Sequence, residues 1–597
     1  MPRHALAESP RHPPLLPRRR FGAIWVVAIA TTLPMGCSVI EPRAAADPGE
    51  IAVAATHRDA SLVHLAKQTR AEGRRLERRG AVACVDRYYK AVVLASAALV
   101  SVPTTGDNAD LLKIRDLYNE SLGDCLRSAQ AMGRLDPRVG LVVDGPAGSM
   151  TVPIAHLGFV WGREDFGKLL APEDVSRLRN ARGRHLHPGL GAGVGVERPN
   201  PRVSASDEFL PSVSAFNATA ILRPDLDAWL GAAAGARPPA DVLELIDPLR
   251  ARTIPFAARD WPLAANLEVG NARLQEIQEA TGTFAIAGFT YPERELDRAG
   301  ILMLEPFQPG KIPVVLVHGL LADPFIFNEM IIALQRSPGF LDRFQIWVYR
   351  YPTGATLLRV AAILRGELGR ATAAFDPAGV DPGMQNVSLV GFSLGGLLCR
   401  LQISSSGDAL WRLIANRPLE TLSLSPESRG MAEDLFFFEP VPNVRQVIFL
   451  ATPHGGVSPA LRGAARTASR FIRRPADTED FIDEADRNNP GALTDTARNL
   501  PSSIEALANR GELLPTIRRL PINPHTSLET IAGLGLLGPN HAKGDLVVPL
   551  PSAHLAEADA EFWVRAVHNN IYRKPETIAT VRRLLMEGSG NAVAAPR

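Results

Sequence analysis

The feature that most constrains this chain is a Gly-x-Ser-x-Gly pentapeptide set between a strand-like and a helix-like segment. Residues 387–396 read VSLVGFSLGG, so a short apolar run leads into Ser393, and small, helix-compatible residues follow it. A Cβ at Gly391 or Gly395 would collide with the neighbouring strand or helix, so glycine is needed at both positions. The stretch predicts a nucleophile elbow. Such a pentapeptide also arises by chance, and the prediction therefore depends on its companions.

The segment upstream of the elbow indicates an oxyanion hole. Residues 311–320 read KIPVVLVHGL, an apolar strand pattern that ends in a His-Gly-Leu corner. In this context the N–H after the His-Gly pair lines an oxyanion hole together with the N–H after the nucleophile. We therefore expect Leu320 and Leu394 to be the donors, with Leu394 at the positive end of a helix. His318 precedes the nucleophile, and we expect it to hold the loop rather than to act as a base.

The predicted acid is Asp545. The strand-like residues 528–534 (LETIAGL) precede the loop GDLVVP, which places Asp545 just past a strand, where a carboxylate can reach a histidine. A simple turn residue is the alternative for any aspartate in a Gly-rich loop. The chain order of nucleophile, acid and then histidine favours the catalytic interpretation.

The predicted base is His568. It follows the strand-like segment EFWVRAV and precedes a stretch of helical periodicity, which is where the histidine of this chain order should lie. His454 follows the strand directly after the elbow, and we expect it to be a wall or turn residue. His541 precedes the acid, and His554 follows it too closely to leave room for a strand.

These residue types suit nucleophilic catalysis on an acyl group. A serine hydroxyl is a weak nucleophile until a base removes its proton during attack, and His568 would do this for Ser393. Asp545 would fix the imidazole tautomer and stabilise its charged form. The two amides would hold the negative oxygen of the tetrahedral intermediate, which is worth ~3–4 kcal/mol per donor in comparable sites. Water would then release the acid from an acyl-enzyme.

Residues 300–588 resemble the α/β-hydrolase superfamily and, within it, the bacterial lipase/esterase branch. The matching segments are VLVHGLLADPFIF, LVGFSLGG, ATPHGG, GDLVVPLPSA and the terminal His568 segment. The resemblance implies an α/β fold with an α/β-hydrolase sheet and flanking helices. It also implies carboxylic-ester hydrolysis through a Ser-His-Asp triad, without a metal or organic cofactor.

The resemblance further implies a lid between ATPHGG and the acid-bearing strand, an interval that here spans residues 457–523. An insertion of this length at the catalytic rim suits a cap over an acyl pocket. The chain departs from the lipase pattern at the acid. Similar proteins have Ser-Asp-Gly before the valines, whereas this chain has Gly544-Asp545-Leu546.

The length of the chain predicts several domains. The sequence divides into a signal peptide at 1–37, a helical-bundle region at 38–135, a mixed α/β accessory region at 136–299, the hydrolase-like domain at 300–588 and a disordered tail at 589–597. We expect the accessory region to pack on the hydrolase-like domain, with Ala285–Phe289 and Ile301–Leu304 as candidates to continue its sheet. His185 and His187 lie in a Gly-rich loop without a cluster of further ligands, so a metal site is not expected there.

The N-terminus has the pattern of an export signal. Arg18–Arg20 precedes the apolar run Phe21–Leu33, which is too short for a comfortable membrane span. The run ends in LPMGC, which resembles a bacterial lipobox with Leu33 one position further from the cysteine than usual. We therefore predict lipidation of Cys37, with simple cleavage or an uncleaved anchor as alternatives. The expected location is the periplasm or outer membrane of a bacterium, reached by Sec or twin-arginine export.

The chain has four cysteines: Cys37, Cys84, Cys125 and Cys399. If Cys37 carries lipid and Cys399 is buried behind the elbow, Cys84 and Cys125 remain, on neighbouring helical segments. A compartment that permits disulfides makes them a candidate pair. Two small core residues in a helical hairpin are the alternative.

Composition excludes little else. The 65 basic and 63 acidic residues nearly balance, which gives no support for a nucleic-acid partner. The expected partners are an ester or lipid-like substrate and, through the anchor, a membrane, while protein partners are not indicated. Two other functions stay open: an acyltransferase or polyester depolymerase with the same triad, and a non-catalytic envelope lipoprotein that uses a hydrolase fold as a binding module.

Overall fold

The computed structural model describes most of the chain beyond the N-terminal segment. The described residues are 59–102, 108–178, 185–199, 204–211, 213–231, 235, 237–280, 284–458, 476–498, 503–507, 511–535 and 544–592. The predicted signal peptide and Cys37 lie outside these residues. No helix among the described residues is both long and apolar enough to cross a membrane.

Three helices lie in the described part of the predicted helical region. They are α1 (Asp59–Glu77), α2 (Cys84–Ser101) and α3 (Asn108–Ala131). Helix α2 is buried throughout Ala91–Leu99, as expected for its apolar second half, whereas Asp86, Arg87 and Lys90 give its first half a polar side. The helices are not an independent bundle, because Tyr118 donates a hydrogen bond to the Leu222 carbonyl in the following region at 2.8 Å.

The accessory region contains its own sheet. Within the described residues, seven strands lie in the order β1-β2-β3-β8-β7-β6-β4. Their pairing is antiparallel except between β3 and β8. The strands are β1 (Leu135–Asp136), β2 (Gly140–Gly145), β3 (Gly148–Leu157), β4 (Lys168–Leu170), β6 (Ala192–Arg198), β7 (Ser214–Arg223) and β8 (Val242–Ile246). Short strand pairs and helices complete the region: β5 (Leu186–His187), α4 (Leu226–Leu230), β9 (Thr253–Phe256), β10 (Arg259–Pro262), β11 (Ala265–Asn266) and α5 (Val269–Ala280).

The second described sheet also has seven strands, in the order β12-β14-β13-β15-β16-β17-β18. The strands are β12 (Gly300–Met303), β13 (Ile312–Val317), β14 (Phe344–Arg350), β15 (Val387–Phe392), β16 (Val444–Leu450), β17 (Ser527–Gly533) and β18 (Ala560–Val564). All pairs are parallel except that of β12 with β14. The carboxyl ends of the six parallel strands therefore meet at one edge. This order, with the elbow strand at the centre, confirms the predicted α/β-hydrolase fold.

Helices cover this sheet on both faces, which is why its strands read as continuous apolar runs rather than alternating ones. The helices are α7 (Asn328–Gln335), α8 (Phe340–Arg343), α9 (Leu357–Phe375), α10 (Leu394–Gln402), α11 (Trp411–Ile414), α12 (Pro426–Phe436), α13 (Ala476–Asn488), α14 (Asp495–Arg498), α15 (Ser503–Leu507), α16 (Leu513–Arg519), α17 (Leu550–Ala553) and α18 (Pro575–Ala592). Helices α13 to α16 belong to the predicted lid interval. Helix α18 extends past residue 588, so the first residues of the predicted tail are helical.

The two candidate sheet extensions turned out differently. Ile301–Leu304 corresponds to β12, which forms the antiparallel edge of the hydrolase sheet. Ala285–Phe289 was predicted wrongly, because it lies in helix α6 (Phe284–Thr290). Its alanines favour a helix over a strand, and this propensity outweighed the apolar character of the run.

The accessory region packs directly on the hydrolase domain through charged groups. Arg250, after β8, donates two hydrogen bonds to Glu305 at 2.9 and 2.8 Å and also pairs with Asp247. Nearby, the Met303 N–H at the end of β12 donates to the Phe209 carbonyl at 2.7 Å. A paired guanidinium and a main-chain hydrogen bond thus join the two regions.

Candidate active site

Ser393 stands at the turn between β15 and α10. Its backbone has φ 53° and ψ −119°, a left-handed conformation that side-chain-bearing residues rarely adopt, and the residue is buried. Strain of this kind costs about 1–3 kcal/mol and persists only where the surroundings enforce it. The local sequence thus folds into the sharp strand-to-helix reversal that the pentapeptide predicts.

The two glycines of the pentapeptide permit this reversal. A Cβ on Gly395 would lie 2.2 Å from the Val317 carbonyl oxygen, so glycine lets α10 approach the end of β13. A Cβ on Gly391 would lie 2.6 Å from the Gly396 Cα. Both obstacles are backbone atoms, which cannot rotate away.

His568 lies between the other two predicted residues. It follows β18, and its Nε2 is 2.9 Å from Ser393 Oγ, while its Nδ1 is 2.6 Å from Asp545 Oδ2. Because an ionised carboxylate only accepts, Nδ1 is assigned the hydrogen, and Nε2 is left to accept the hydroxyl proton of Ser393. The structure therefore brings Ser393, His568 and Asp545 into one hydrogen-bonded chain.

Asp545 is held in place by main-chain donors. Its Oδ1 accepts from the N–H groups of Val547 at 3.0 Å and Val548 at 2.7 Å, and its carbonyl accepts from the His568 N–H at 3.0 Å. Oδ2 is thereby left for the imidazole. The fixed carboxylate leaves the imidazole a single preferred orientation.

Leu546 explains the departure from the Ser-Asp-Gly pattern. It has φ 80° and is 70% exposed, so it occupies a left-handed position that favours glycine. The acid keeps its place although its neighbour is a leucine. The substitution leaves an apolar side chain in solvent beside the triad.

The two predicted oxyanion donors lie beside the nucleophile. Leu394 is the first residue of α10, so its N–H has no acceptor within the helix. A Cβ on Gly319 would lie 3.2 Å from Ser393 Cβ, which shows how closely the His318–Leu321 loop approaches the serine. Within the described residues, the Leu320 N–H makes no hydrogen bond. Two donors are thus available next to Ser393 Oγ.

Sequence reasoning missed the residues that support this loop. The Tyr351 hydroxyl donates to the His318 carbonyl at 2.7 Å, and the Leu321 N–H donates to Thr353 Oγ1 at 3.3 Å. Both supports follow the carboxyl end of β14, next to β13. The sequence signal that could have identified them is the pair Tyr351 and Thr353, in YRYPT, directly after a buried strand.

The other histidines take no part in the hydrogen-bonded chain. His318 is fully buried with its Nδ1 3.0 Å from the Gly319 oxygen, and burial lowers its pKa to about 4. His454 is also buried, packs edge-on against the Phe449 ring at 4.9 Å, and has a pKa well below its usual value because of burial. His554 is exposed and bonds Glu561 at 3.0 Å, and His541 lies outside the described residues. His318 and His454 are therefore neutral structural residues.

The predicted lid interval lies next to the site. The Val457 N–H donates to the Leu507 carbonyl at 3.0 Å, and the Ser503 N–H donates to the Ala355 carbonyl at 3.3 Å, close to the loop support. The Ser458 N–H donates to the Val547 carbonyl at 2.9 Å, two residues after the acid. Residues 459–475, 499–502 and 508–510 of the interval lie outside the described residues.

The predicted Cys84–Cys125 disulfide is not formed. Both cysteines are buried free thiols, and Cys125 Sγ lies 3.8 Å from the Val85 carbonyl. The pairing was reached by elimination, which gives no information on side-chain direction. The two residues instead pack as small apolar groups between α2 and α3. Cys399 is buried within α10, behind the elbow.

The described part of the chain offers no group of three or more His, Cys, Asp or Glu side chains able to hold a metal ion. His185 instead bonds Glu329 at 2.8 Å.

Comparisons with known proteins add little. No protein-family model matches the chain. A search of curated proteins found no match. Among solved structures, the mature lipase BlEst2 of Bacillus licheniformis is 18% identical over 47% of this chain and 93% of its own, with a TM-score of 0.27.

Two further solved structures give similar values. The esterase EaEST of Exiguobacterium antarcticum is 13% identical over 48% of this chain and 95% of its own, with a TM-score of 0.26. The esterase B of Lactobacillus rhamnosis, inhibited by a tributyrin phosphonate, is 14% identical over 54% and 95%, also with a TM-score of 0.26. Values this low carry no argument for function. The fold follows from this chain's own strand order and elbow.

Proposed function

We propose that this protein, whose C-terminal half has the α/β-hydrolase fold, is a serine hydrolase of carboxylic esters. One observation carries the proposal: His568 lies 2.9 Å from Ser393 Oγ on one side and 2.6 Å from Asp545 Oδ2 on the other. A hydroxyl, an imidazole and a carboxylate in this order and at these distances form a proton relay suited to acyl transfer.

The reaction begins when Ser393 Oγ attacks the ester carbonyl carbon while His568 Nε2 takes the hydroxyl proton. The carbonyl oxygen becomes an oxyanion, which accepts hydrogen bonds from the Leu320 and Leu394 amides. His568 then returns the proton to the leaving alcohol as the bond from carbon to that oxygen breaks. Water, deprotonated by the same imidazole, attacks the acyl-enzyme, and Ser393 is regenerated as the carboxylic acid leaves.

An apolar substrate fits the surroundings of the triad. Leu546, beside the acid, and Leu321, beside the oxyanion loop, both expose their side chains, and both have left-handed backbones. Exposed leucines held in strained conformations favour a role in contacting apolar groups over chance exposure. We therefore propose lipophilic esters as substrates.

The proposed location is the bacterial envelope. The N-terminal pattern of Arg18–Arg20, an apolar run and Cys37 supports export followed by lipidation of Cys37. Metabolic labelling with a fatty-acid analogue, in the wild type and in Cys37→Ser, tests the anchor separately from the activity. Label that is equal in both proteins would contradict lipidation at this position.

Hydrolysis is tested with p-nitrophenyl esters of increasing chain length and with a fluorophosphonate probe. The wild type should release p-nitrophenol and take up the probe, and Ser393→Ala should do neither while keeping its circular dichroism. A folded wild type that neither labels nor hydrolyses would instead indicate a binding module. A predominance of transfer to an added alcohol or amine over hydrolysis would indicate an acyltransferase.

A further inference from the structure

The outer face of helix α1 is strongly basic. From His64 onward, the exposed residues recur at intervals of three and four, so they form one stripe that continues past the helix end at Glu77: His64, Lys67, Gln68, Ala71, Arg74, Arg75, Arg78 and Arg79. At a rise of 1.5 Å per residue, the stripe is about 22 Å long. Five of its eight residues are lysine or arginine, and none is acidic.

The acidic groups near this helix are directed elsewhere. Glu77 accepts from Tyr88 at 2.6 Å and pairs with Arg127 at 2.9 Å, while Glu72 lies 3.7 Å from Arg87. Outside α1, Glu120 and Asp124 pair with Arg70, whose side chain is only 11% exposed. Glu77 and Asp124 are thus mainly engaged by Arg127 and Arg70, while Glu120 pairs with Arg70 at an exposed position.

The stripe itself is left with little neutralisation. Arg74 has Asp124 at 3.7 Å. Among the described residues, Lys67, Arg75, Arg78 and Arg79 form no ion pair, although salt bridges are common elsewhere on the surface. The uncompensated charge is therefore concentrated on one solvent-facing side of α1.

We infer that this stripe, on α1 and the turn that follows it, docks on an anionic phospholipid surface. Helix α1 begins at Asp59, 22 positions after Cys37, where the sequence predicts the lipid anchor. A linker of that length spans at most about 75 Å, so an anchored chain keeps α1 within reach of the membrane. The inference rests on the proposed anchor and is independent of the proposed hydrolysis.

Charge and chemistry favour a membrane as the partner. The chain as a whole carries a net charge of only +2, so its overall charge gives little attraction to an anionic surface. The attraction must come from a local concentration of basic residues such as the stripe. The exposed apolar Val82 follows the last arginines and can enter the interfacial layer. Basic residues near an anionic leaflet strengthen binding about fivefold each, so several acting together orient a protein that is already tethered.

The experiment uses the full chain with Cys37→Ser and a fluorophore on Ala71→Cys, at the centre of the stripe. Cys84, Cys125 and Cys399 are buried and escape labelling. Emission is followed as vesicles of phosphatidylcholine, with and without 30% phosphatidylglycerol, are added. A blue shift that requires phosphatidylglycerol and is reversed by salt is expected. The same fluorophore on Val380→Cys, exposed in the hydrolase domain, should not respond.

A matched pair of charge reversals completes the test. Arg75→Glu with Arg78→Glu should weaken binding to anionic vesicles at least about tenfold. Arg412→Glu with Arg237→Glu, which changes the net charge equally at side chains 75% and 56% exposed, should change it less than about twofold. Equal losses in both variants, or no shift of the Ala71 label, would overturn the inference.

Two further readouts separate the alternatives. A label shift produced equally by DNA or heparin would also overturn the inference, because it would show a general polyanion surface. Hydrolysis of a water-soluble ester should be unchanged in both variants, since neither touches the triad. A failure of docking is thus distinguishable from a failure of the proposed function.

Discussion

Tyr351 contacts His318 in two ways, at its carbonyl and at its imidazole ring. Its hydroxyl donates to that oxygen at 2.7 Å, and its ring stacks on the imidazole with centroids 4.3 Å apart and planes 13° apart. The carbonyl belongs to the loop that carries the Leu320 amide. We therefore expect the tyrosine to fix the direction of the Leu320 N–H, the proposed oxyanion donor.

Tyr351→Phe should reduce kcat about tenfold with little change in KM. The loop would lose its hydrogen bond and leave a buried carbonyl unsatisfied, at a cost of about 1–3 kcal/mol. Because the oxyanion forms only during reaction, the loss falls on kcat. The matched control is Tyr349→Phe, since Tyr349 is equally buried and donates to the Val360 carbonyl at 2.7 Å. Equal kcat losses in the two variants would contradict the positioning role.

Asp545→Asn should lower kcat by about 10⁴-fold while the protein stays folded, because an amide can stabilise the wrong imidazole tautomer. Steady-state hydrolysis of a p-nitrophenyl ester measures the effect. The control is Asp559→Asn, whose carboxylate accepts from the Leu528 N–H at 2.8 Å, away from the imidazole. Near-normal turnover in the Asp545 variant would point to a different acid.

Gly395→Ala should destabilise the fold by about 3 kcal/mol or more, because the new methyl group would meet the Val317 and His318 carbonyl oxygens at 2.2 and 2.4 Å. Gly369→Ala, within α9, has no atom within 4 Å of the added Cβ and should stabilise the protein by about 0.5–1 kcal/mol. Urea unfolding compares the two. Similar midpoints for both variants would show that α10 and β13 are not in close contact.

Acid should weaken the fold through His318. Burial lowers its pKa from 6.5 to about 4, so unfolding takes up a proton between these values. The free energy of unfolding should be fully retained above pH 6.5 and fall by roughly 3 kcal/mol as the pH drops to 4. His454, whose pKa is lowered by burial as well, adds a change of the same sign.

Urea unfolding at a series of pH values measures this dependence. His318→Gln should flatten the slope between pH 4 and 6.5. Direct NMR titration of the His318 ring in the wild type provides a readout that does not depend on the stability of the variant. An imidazole titrating near pH 6.5 would contradict the prediction.

Leu546→Gly should stabilise the protein by up to about 1 kcal/mol, because glycine adopts φ 80° without strain. The control, Val380→Gly, is at an exposed site without a left-handed backbone and should be destabilising. Thermal unfolding compares the two. If the Leu546 side chain contacts apolar substrates as proposed, the glycine variant should also show a higher KM for long-chain esters.

The features of the fold and the site that could be predicted from the sequence are those determined by local residue patterns. Ser393, the parallel strands and the loops bearing Asp545 and His568 each follow from a strand signal plus a chain order, because the carboxyl ends of parallel strands must meet. Tyr351 escaped prediction because its role depends on which strand lies beside β13, and strand order is not local information.

The errors have the same origin. The Cys84–Cys125 pairing was inferred from which cysteines remained, whereas a disulfide also requires the two sulfur atoms at bonding distance, which packing decides. Ala285–Phe289 is apolar in both a strand and a helix, and only its alanines distinguished the two. The three helices of the helical-bundle region also contact the accessory region, because the Tyr118 hydroxyl bonds the Leu222 carbonyl.

The contact of Arg250 with Glu305 and Asp247 has a consequence for dissecting the protein. A truncation that begins at residue 300 would leave Glu305 without its counter-ion and remove the Phe209 partner of the β12 edge. Both sheets should therefore melt in a single cooperative transition, and the catalytic half should not be obtainable as a separate soluble fragment. We therefore expect the accessory region to stabilise the hydrolase domain rather than to be a detachable appendage.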